Sequence, residues 1–318
     1  MTTFKEIRGK LIRTLDTDPT PATNYEGEIW YNKTIGVLKA SEVVAATWSS
    51  GGNMGTARRS LGGAGTQPAA LAFGGFDTGN TNATEEYNGS AWTGGGNLGT
   101  ARRFIAGAGT QTAGLAFGGG PGALTATEEY NGSAWTGGGA LNTGRGYLGG
   151  CGTQTAGLAF GGFPTTGATE EYDGTSWTTS PGSLGTSRYD LGASGTQTAA
   201  LGFGGRPTAR DLTEEYDGTS WTAGGNLNTA RFDPGEAGTQ TATVGFGGYT
   251  PTVIAATEEY DGSSWTISTS MSTARGGLAG AGTQESAVGF GGATGPTVTG
   301  ATEEYTGSFV STKTLTTS

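Results

Sequence analysis

Residues 83–119, ATEEYNGSAWTGGGNLGTARRFIAGAGTQTAGLAFGG, are the unit from which most of the chain is built. Their landmarks are a glutamate pair, a tyrosine, a turn, a tryptophan, an arginine, a run of small residues and a double glycine. The tyrosine returns as Tyr130, Tyr172, Tyr216, Tyr260 and Tyr305, and the tryptophan as Trp48, Trp135, Trp177, Trp221 and Trp265, at spacings of 42 to 45 residues. Phe309 stands at the seventh tryptophan position. A period of this length marks propellers and solenoid arrays, in which one supersecondary unit cannot bury its apolar face alone.

Each copy parses into four short strands, named a to d here. In one copy strand a follows the arginine over 102–109, b covers 113–117 before Gly118 and Gly119, c covers 126–130, and d covers 133–136 around Trp135. Strand a is nearly all Ala, Gly and Ser, which suits an innermost strand with little side-chain room. Strand d carries the tryptophan, whose roughly 150–250 Å² of buried surface suits the wide outer part of a wedge between sheets. The c–d turn is Tyr-Asn-Gly or Tyr-Asp-Gly in five copies, the strongest short hairpin signal. Strands a, b and c occur six times and d seven times, so the expected fold is all-β, a six-bladed β-propeller over 43–318. Two closures are open: residues 43–49 complete the last blade beside Tyr305, or the segment around Phe309 does. The first is the expected one, which leaves 309–312 as a spare strand or tail.

Residues 1–42 differ in kind. They hold every lysine except Lys313, and Asp16-Thr17-Asp18-Pro19-Thr20-Pro21 reads as a turn or linker because both prolines bar helix. GEIWYN (27–32) and KTIGVLK (33–39) read as two short strands around a turn, too little to be stable alone. The formal net charge of −10 argues against nucleic acid as a partner, and the absence of histidine removes the commonest general base and neutral metal ligand. No apolar run approaches a membrane span, and the N-terminus lacks the apolar region of a secretory signal. Cys151, the only cysteine, takes the place of Ala64 and Ala108 and reads as a small buried residue.

Strand b ending in Gly-Gly, then Glu-x-Tyr-Asp/Asn, then Trp, then Ala-Arg resembles the kelch repeat; five copies carry the whole motif and the sixth has Phe309 for Trp. The wording GTQTAGLAFGG…ATEEYNGSxWT is similar to repetitive proteins of marine bacteriophages. GEIWYNKTIGVLK (27–39) resembles a segment of phage tail-fibre and other virion proteins. These resemblances imply a kelch-like propeller on a virion, attached to other virion proteins through residues 1–42 and exposed on tail or capsid. They imply adhesion to a host-surface glycan or receptor protein, or else a decorating role without a receptor; a cellular kelch-type interaction module is a third reading. Tail-fibre proteins are often trimers, so a homotrimer is an expectation of the same resemblance.

Strand alternation puts the a–b and c–d turns on one face and the b–c and d–a loops on the other. The b–c loops, FDTGNTN, GPGALT, FPTTG, RPTARD, YTPTVIA and ATGPTVTG, vary most, and variable loops on a rigid scaffold are where binding usually sits. Phe76, Phe163, Arg206, Arg210 and Tyr249 are the non-repeating candidates for ligand contacts there. Arg58, Arg102, Arg145, Arg188, Arg231 and Arg275 recur at the d–a junction and admit two readings. They form a ring for a carboxylate, sulfate or phosphate, or each pairs with a repeat acid such as Glu86 or Glu129 and holds the array in register. Adjacent glutamates on a strand point to opposite faces, so the Glu-Glu pairs are not paired catalytic acids. The Asp-Gly-x-x-Trp spacing does not match the Asp box of sialidases, and Asp173, Asp217 and Asp261 lack the spacing of a calcium loop. No catalytic set, metal site or cofactor is expected.

Overall fold

The computed structural model describes residues 12–19, 28–207 and 211–315. Every regular element among them is a β-strand, and the strands form seven four-stranded sheets. Contacts divide the chain into two units, one of 1–47 with 307–318, the other of 48–306. The expected boundary near residue 42 therefore lies a few residues later, and the C-terminal strand joins the first unit.

In that first unit, Ile29–Asn32 and Val37–Val44 pair antiparallel around the turn expected from the sequence, and Arg13–Leu15 adds in parallel to Ile29–Asn32. Phe309–Leu315 is not spare: it pairs along Val37–Val44 from Phe309 opposite Val44 to Leu315 opposite Leu38. The Asp18 carboxylate fixes the hairpin by accepting from Asn32 Nδ2 at 2.7 Å, Lys39 Nζ at 2.9 Å and Trp30 Nε1 at 3.0 Å. These donors, the Asn32 amide first, hold its pKa down at about 2.

The second unit holds six sheets in one repeated pattern, a propeller-like arrangement. The second sheet is Ala106–Thr110, Ala113–Phe117, Thr127–Tyr130 and Trp135–Gly137, each antiparallel to the next. The sixth is Ala279–Gly282, Ser286–Phe290, Thr302–Thr306 and, from the other end of the repeats, Thr47–Ser50. Of the two closures open to the sequence, the N-terminal strand is the one used. The a strands follow one another in cyclic order, with Gly62–Thr66 lying against both Ala106–Thr110 and Ala279–Gly282. Such close approach requires glycine: a Cβ on Gly107 would stand 2.3 Å from the Gly63 carbonyl oxygen of the neighbouring sheet.

The tryptophan, the tyrosine and the glutamine of the repeat each make the same contact to a neighbouring sheet. Each strand-d tryptophan packs on the strand-b phenylalanine of the preceding sheet, as Trp135 on Phe73 at 5.0 Å and Trp92 on Phe290 at 4.9 Å between ring centroids. Its Nε1 donates to the first residue of strand c in that sheet, Trp135 to Thr84 and Trp92 to Thr302. The tyrosine hydroxyl donates to the second glutamate of the preceding sheet, Tyr130 to Glu86 and Tyr87 to Glu304. In the Gly-Thr-Gln turn, Gln111 Nε2 donates to the carbonyls of Ala70 and Tyr87, and Gln67 Nε2 to those of Ala287 and Tyr305. The first and sixth sheets are thus joined by the same bonds as any other neighbours.

Candidate functional site

The six repeat arginines sit at the d–a junctions and are completely buried, at 0% exposure. Each reaches the first glutamate of a pair: Arg58 to Glu85 at 2.7 Å, Arg102 to Glu128 at 3.2 Å, Arg145 to Glu170 at 2.9 Å, Arg231 to Glu258 at 2.5 Å and Arg275 to Glu303 at 3.1 Å, with Arg188 on Glu214. The partners are therefore not Glu86 and Glu129; those second glutamates take tyrosine hydroxyls instead. Burial lowers the arginine pKa values, and the paired carboxylates oppose that shift. With no guanidinium surface facing solvent, the arginines do not form a ligand ring in this structure. They clamp the d–a loops, whose backbone N–H groups, such as those of Gly55 and Gly99, donate to the same glutamates.

What lies at the end of the array begins one residue later. That residue pairs through backbone bonds with the first residue of the b–c loop, giving Arg59–Phe76, Arg103–Gly120, Gly146–Phe163, Tyr189–Arg206, Phe232–Tyr249 and Gly276–Ala293. The next residue is left-handed in all six repeats: Ser60 (φ 54°), Phe104 (55°), Tyr147 (58°), Asp190 (56°), Asp233 (55°) and Gly277 (65°). Their backbones form a closed ring in which each N–H donates to the preceding repeat's carbonyl. Phe104 donates to Ser60, Tyr147 to Phe104, Asp190 to Tyr147, Asp233 to Asp190, Gly277 to Asp233 and Ser60 to Gly277, at 2.7–3.1 Å. Glycine is the unstrained choice at such a φ, yet it is used only once. A left-handed residue with a bulky side chain costs on the order of 1–3 kcal/mol, and such outliers cluster at functional sites.

Above this ring lies a concavity of about 940 Å³ lined by both loop sets, among them Arg103, Phe104, Tyr147, Asp190, Arg206 and Tyr249. Of the candidates from the sequence, Phe163, Arg206 and Tyr249 line it, while Phe76 lies under the guanidinium of Arg103 at 4.5 Å. Arg210 lies outside the described residues. Phe163 is half exposed and meets the edge of Tyr189 at 5.5 Å, and Tyr249 stacks on Phe232 at 5.3 Å. The Phe104 and Tyr147 rings stack at 3.5 Å. The sequence reading missed the d–a half of this lining. Its signal is visible: after each arginine stand RS, RF, GY, YD, FD and GG, a varying pair between an invariant residue and a near-invariant small run.

Below the ring a cavity of about 90 Å³ runs between the a strands. Glu236 lines it, the only charged residue in the six a strands. Desolvation, with the charge of nearby Asp233, raises its pKa to about 8. The same two causes, burial first, raise that of Asp190, and burial raises that of Asp233. For Glu236 the folded state keeps a proton that the unfolded chain has lost. Stability therefore falls as pH rises from the ordinary glutamate range through about 8. Glu236→Gln removes this slope: its Tm should match the parent near pH 4 and exceed it by a few degrees at pH 9. Parallel melting curves across that range would refute the assignment. Among the described residues no three His, Cys, Asp or Glu side chains are placed to hold a metal ion.

No protein-family model and no curated protein matches this chain.

Proposed function

We propose that the chain is a bacteriophage virion protein that attaches the particle to its host by binding a surface glycan in the concavity above the hydrogen-bonded ring. In this reading the six repeat sheets are the blades of a six-bladed kelch-like propeller. The smaller unit, with the tail-fibre-like GEIWYNKTIGVLK segment, holds the protein on the particle. The observation that carries the binding role is the breakdown of repetition at one place. The tryptophan, tyrosine, glutamine and arginine contacts recur in all six copies, but around the ring each copy carries a different pair of side chains, five of them with a non-glycine residue at positive φ. Aromatic faces beside aspartates and arginines suit a sugar, whose C–H faces stack on rings while its hydroxyls need both donors and acceptors.

Glycan-array binding of the full-length chain tests this. Binding to at least one glycan class is expected, with loss of about tenfold or more in affinity for Tyr147→Ala, by analogy with aromatic anchors elsewhere. A fully folded chain that binds no glycan, on particles that adsorb normally after Tyr147→Ala, would leave the decorating role in its place.

A further inference from the structure

The ring bonds fix the order of the six repeats around the concavity as Ser60, Phe104, Tyr147, Asp190, Asp233 and Gly277. In a six-membered ring the first position faces the fourth and the second faces the fifth. Arg103, next to the second position, therefore stands across from Asp233, whereas Arg59 reaches back to Tyr249 and its charge acts on Asp233. Two of the three arginines of the lining act on its aspartates, Arg206 on Asp190 and Asp233 and Arg59 on Asp233, although the repeats that build the concavity are nearly identical.

The three arginines are not equivalent. Arg206 is committed: its Nε lies 3.4 Å from the Asp190 carboxylate and its guanidinium lies 3.6 Å from the Phe232 ring centroid. Arg59 hydrogen-bonds Tyr249 and lies 5.7 Å from Phe76. Arg103 has no carboxylate partner among the described residues. Its guanidinium lies over Phe76 at 4.5 Å and over Phe104 at 4.8 Å, and its buried Nε has no hydrogen-bond partner there. Aromatic contacts of this kind hold the planar group in place without using its N–H donors, which keep their capacity to bind a carboxylate. Of the three guanidiniums, that of Arg103 is the one whose charge is left for a ligand to meet.

Resting on the glycan-binding reading, we propose that the ligand is an acidic saccharide: a sugar carboxylate seated on Arg103, with hydroxyls farther along the saccharide donating to Asp190 and Asp233 and a sugar face against Phe104 and Tyr147. Asp190 and Asp233 accept hydroxyl donors, and acidic groups in the lining disfavour the near-dianion of a phosphorylated sugar relative to a monocarboxylate. Arg103 is the residue that selects acid over neutral sugar.

The test is calorimetric titration of the full chain with an oligogalacturonate, with the same oligosaccharide as its methyl ester, and with a phosphorylated neutral oligosaccharide. The acid should bind about tenfold or more tighter than its ester, the size of effect expected for one charge-assisted bidentate pair. Arg103→Gln should weaken the acid far more than the ester and so remove most of that difference, and Arg103→Lys should restore part of it. Equal binding of acid and ester, or an equal loss of both in Arg103→Gln, overturns the carboxylate assignment. So does tighter binding of the phosphorylated sugar that Arg103→Gln removes. Should none of these three probes bind while the array reports a neutral glycan, the acidic-sugar inference fails and the glycan-binding reading stands. Failure of every glycan on the array removes both.

Discussion

Arg231→Met is expected to destabilise the repeat unit by about 3–5 kcal/mol, because it strands the Glu258 carboxylate where both partners have no exposed side-chain surface. The carboxylate has more than one obligation. It accepts from the backbone N–H groups of Asn228 and Thr229 and from Asn228 Nδ2, so it cannot turn toward water without breaking the d–a loop. Protonating it relieves the charge but consumes an acceptor site. A second substitution separates charge from hydrogen bonding: Glu258→Gln keeps an acceptor oxygen and removes the charge. The double variant should recover more than half of the loss. It should not recover all of it, because Arg231 also donates to the carbonyls of Gly247 and Ala256. Urea unfolding of the four proteins gives the coupling energy directly. Additive losses in the two single variants, with no recovery in the double, would show that the pair is not the clamp described.

The strand pattern, the hairpins and the contact role of each tryptophan were legible because they are written six times. A residue that recurs in register must satisfy one geometry, and TEEY does so at all four positions. Thr84 takes the next tryptophan, Glu85 the arginine, Glu86 the next tyrosine, and Tyr87 the preceding glutamate. Periodicity alone left two readings of the arginines open, since one per repeat suits both a ring of ligands and a set of clamps. Burial decides between them. The concavity was half legible for the opposite reason: it is made of what does not recur. Its lining comes from a ring of positions about 43 residues apart, and pairs such as RS, YD and FD look like noise beside an invariant arginine. Gly277 advertises a positive φ, and Asp190 and Asp233 do so more weakly, but Ser60, Phe104 and Tyr147 give no such signal. The pairing of Phe309–Leu315 with Val37–Val44 was beyond reach as well. An alternating strand shows which face it buries, but not which edge, some 270 residues away, receives it.

Trp48→Ala is expected to cost as much as Trp135→Ala, about 3–5 kcal/mol, although Trp48 stands at the chain-terminal edge of the repeats and Trp135 in their interior. The two residues do the same work. Trp48 lies 5.0 Å from both Phe246 and Tyr305, and its Nε1 donates to Thr257 Oγ1 at 3.1 Å and to the Thr269 carbonyl at 3.0 Å. Trp135 lies against Phe73 and Tyr130 and donates to Thr84. In an open array, stability is a sum over nearest neighbours, and an end unit frays at little cost to the rest. A cyclic order of a strands has no end unit, so losing the aromatic of the strand that completes the sixth sheet weakens its junction with the fifth as losing Trp135 weakens that between the second and the first. Thermal unfolding distinguishes these outcomes. One cooperative transition shifted equally by the two variants is expected. A Trp48→Ala transition that splits, or that shifts by less than about a quarter of the Trp135→Ala change, would mean that the repeats behave as an open array, with Thr47–Ser50 an attached end rather than a closing strand.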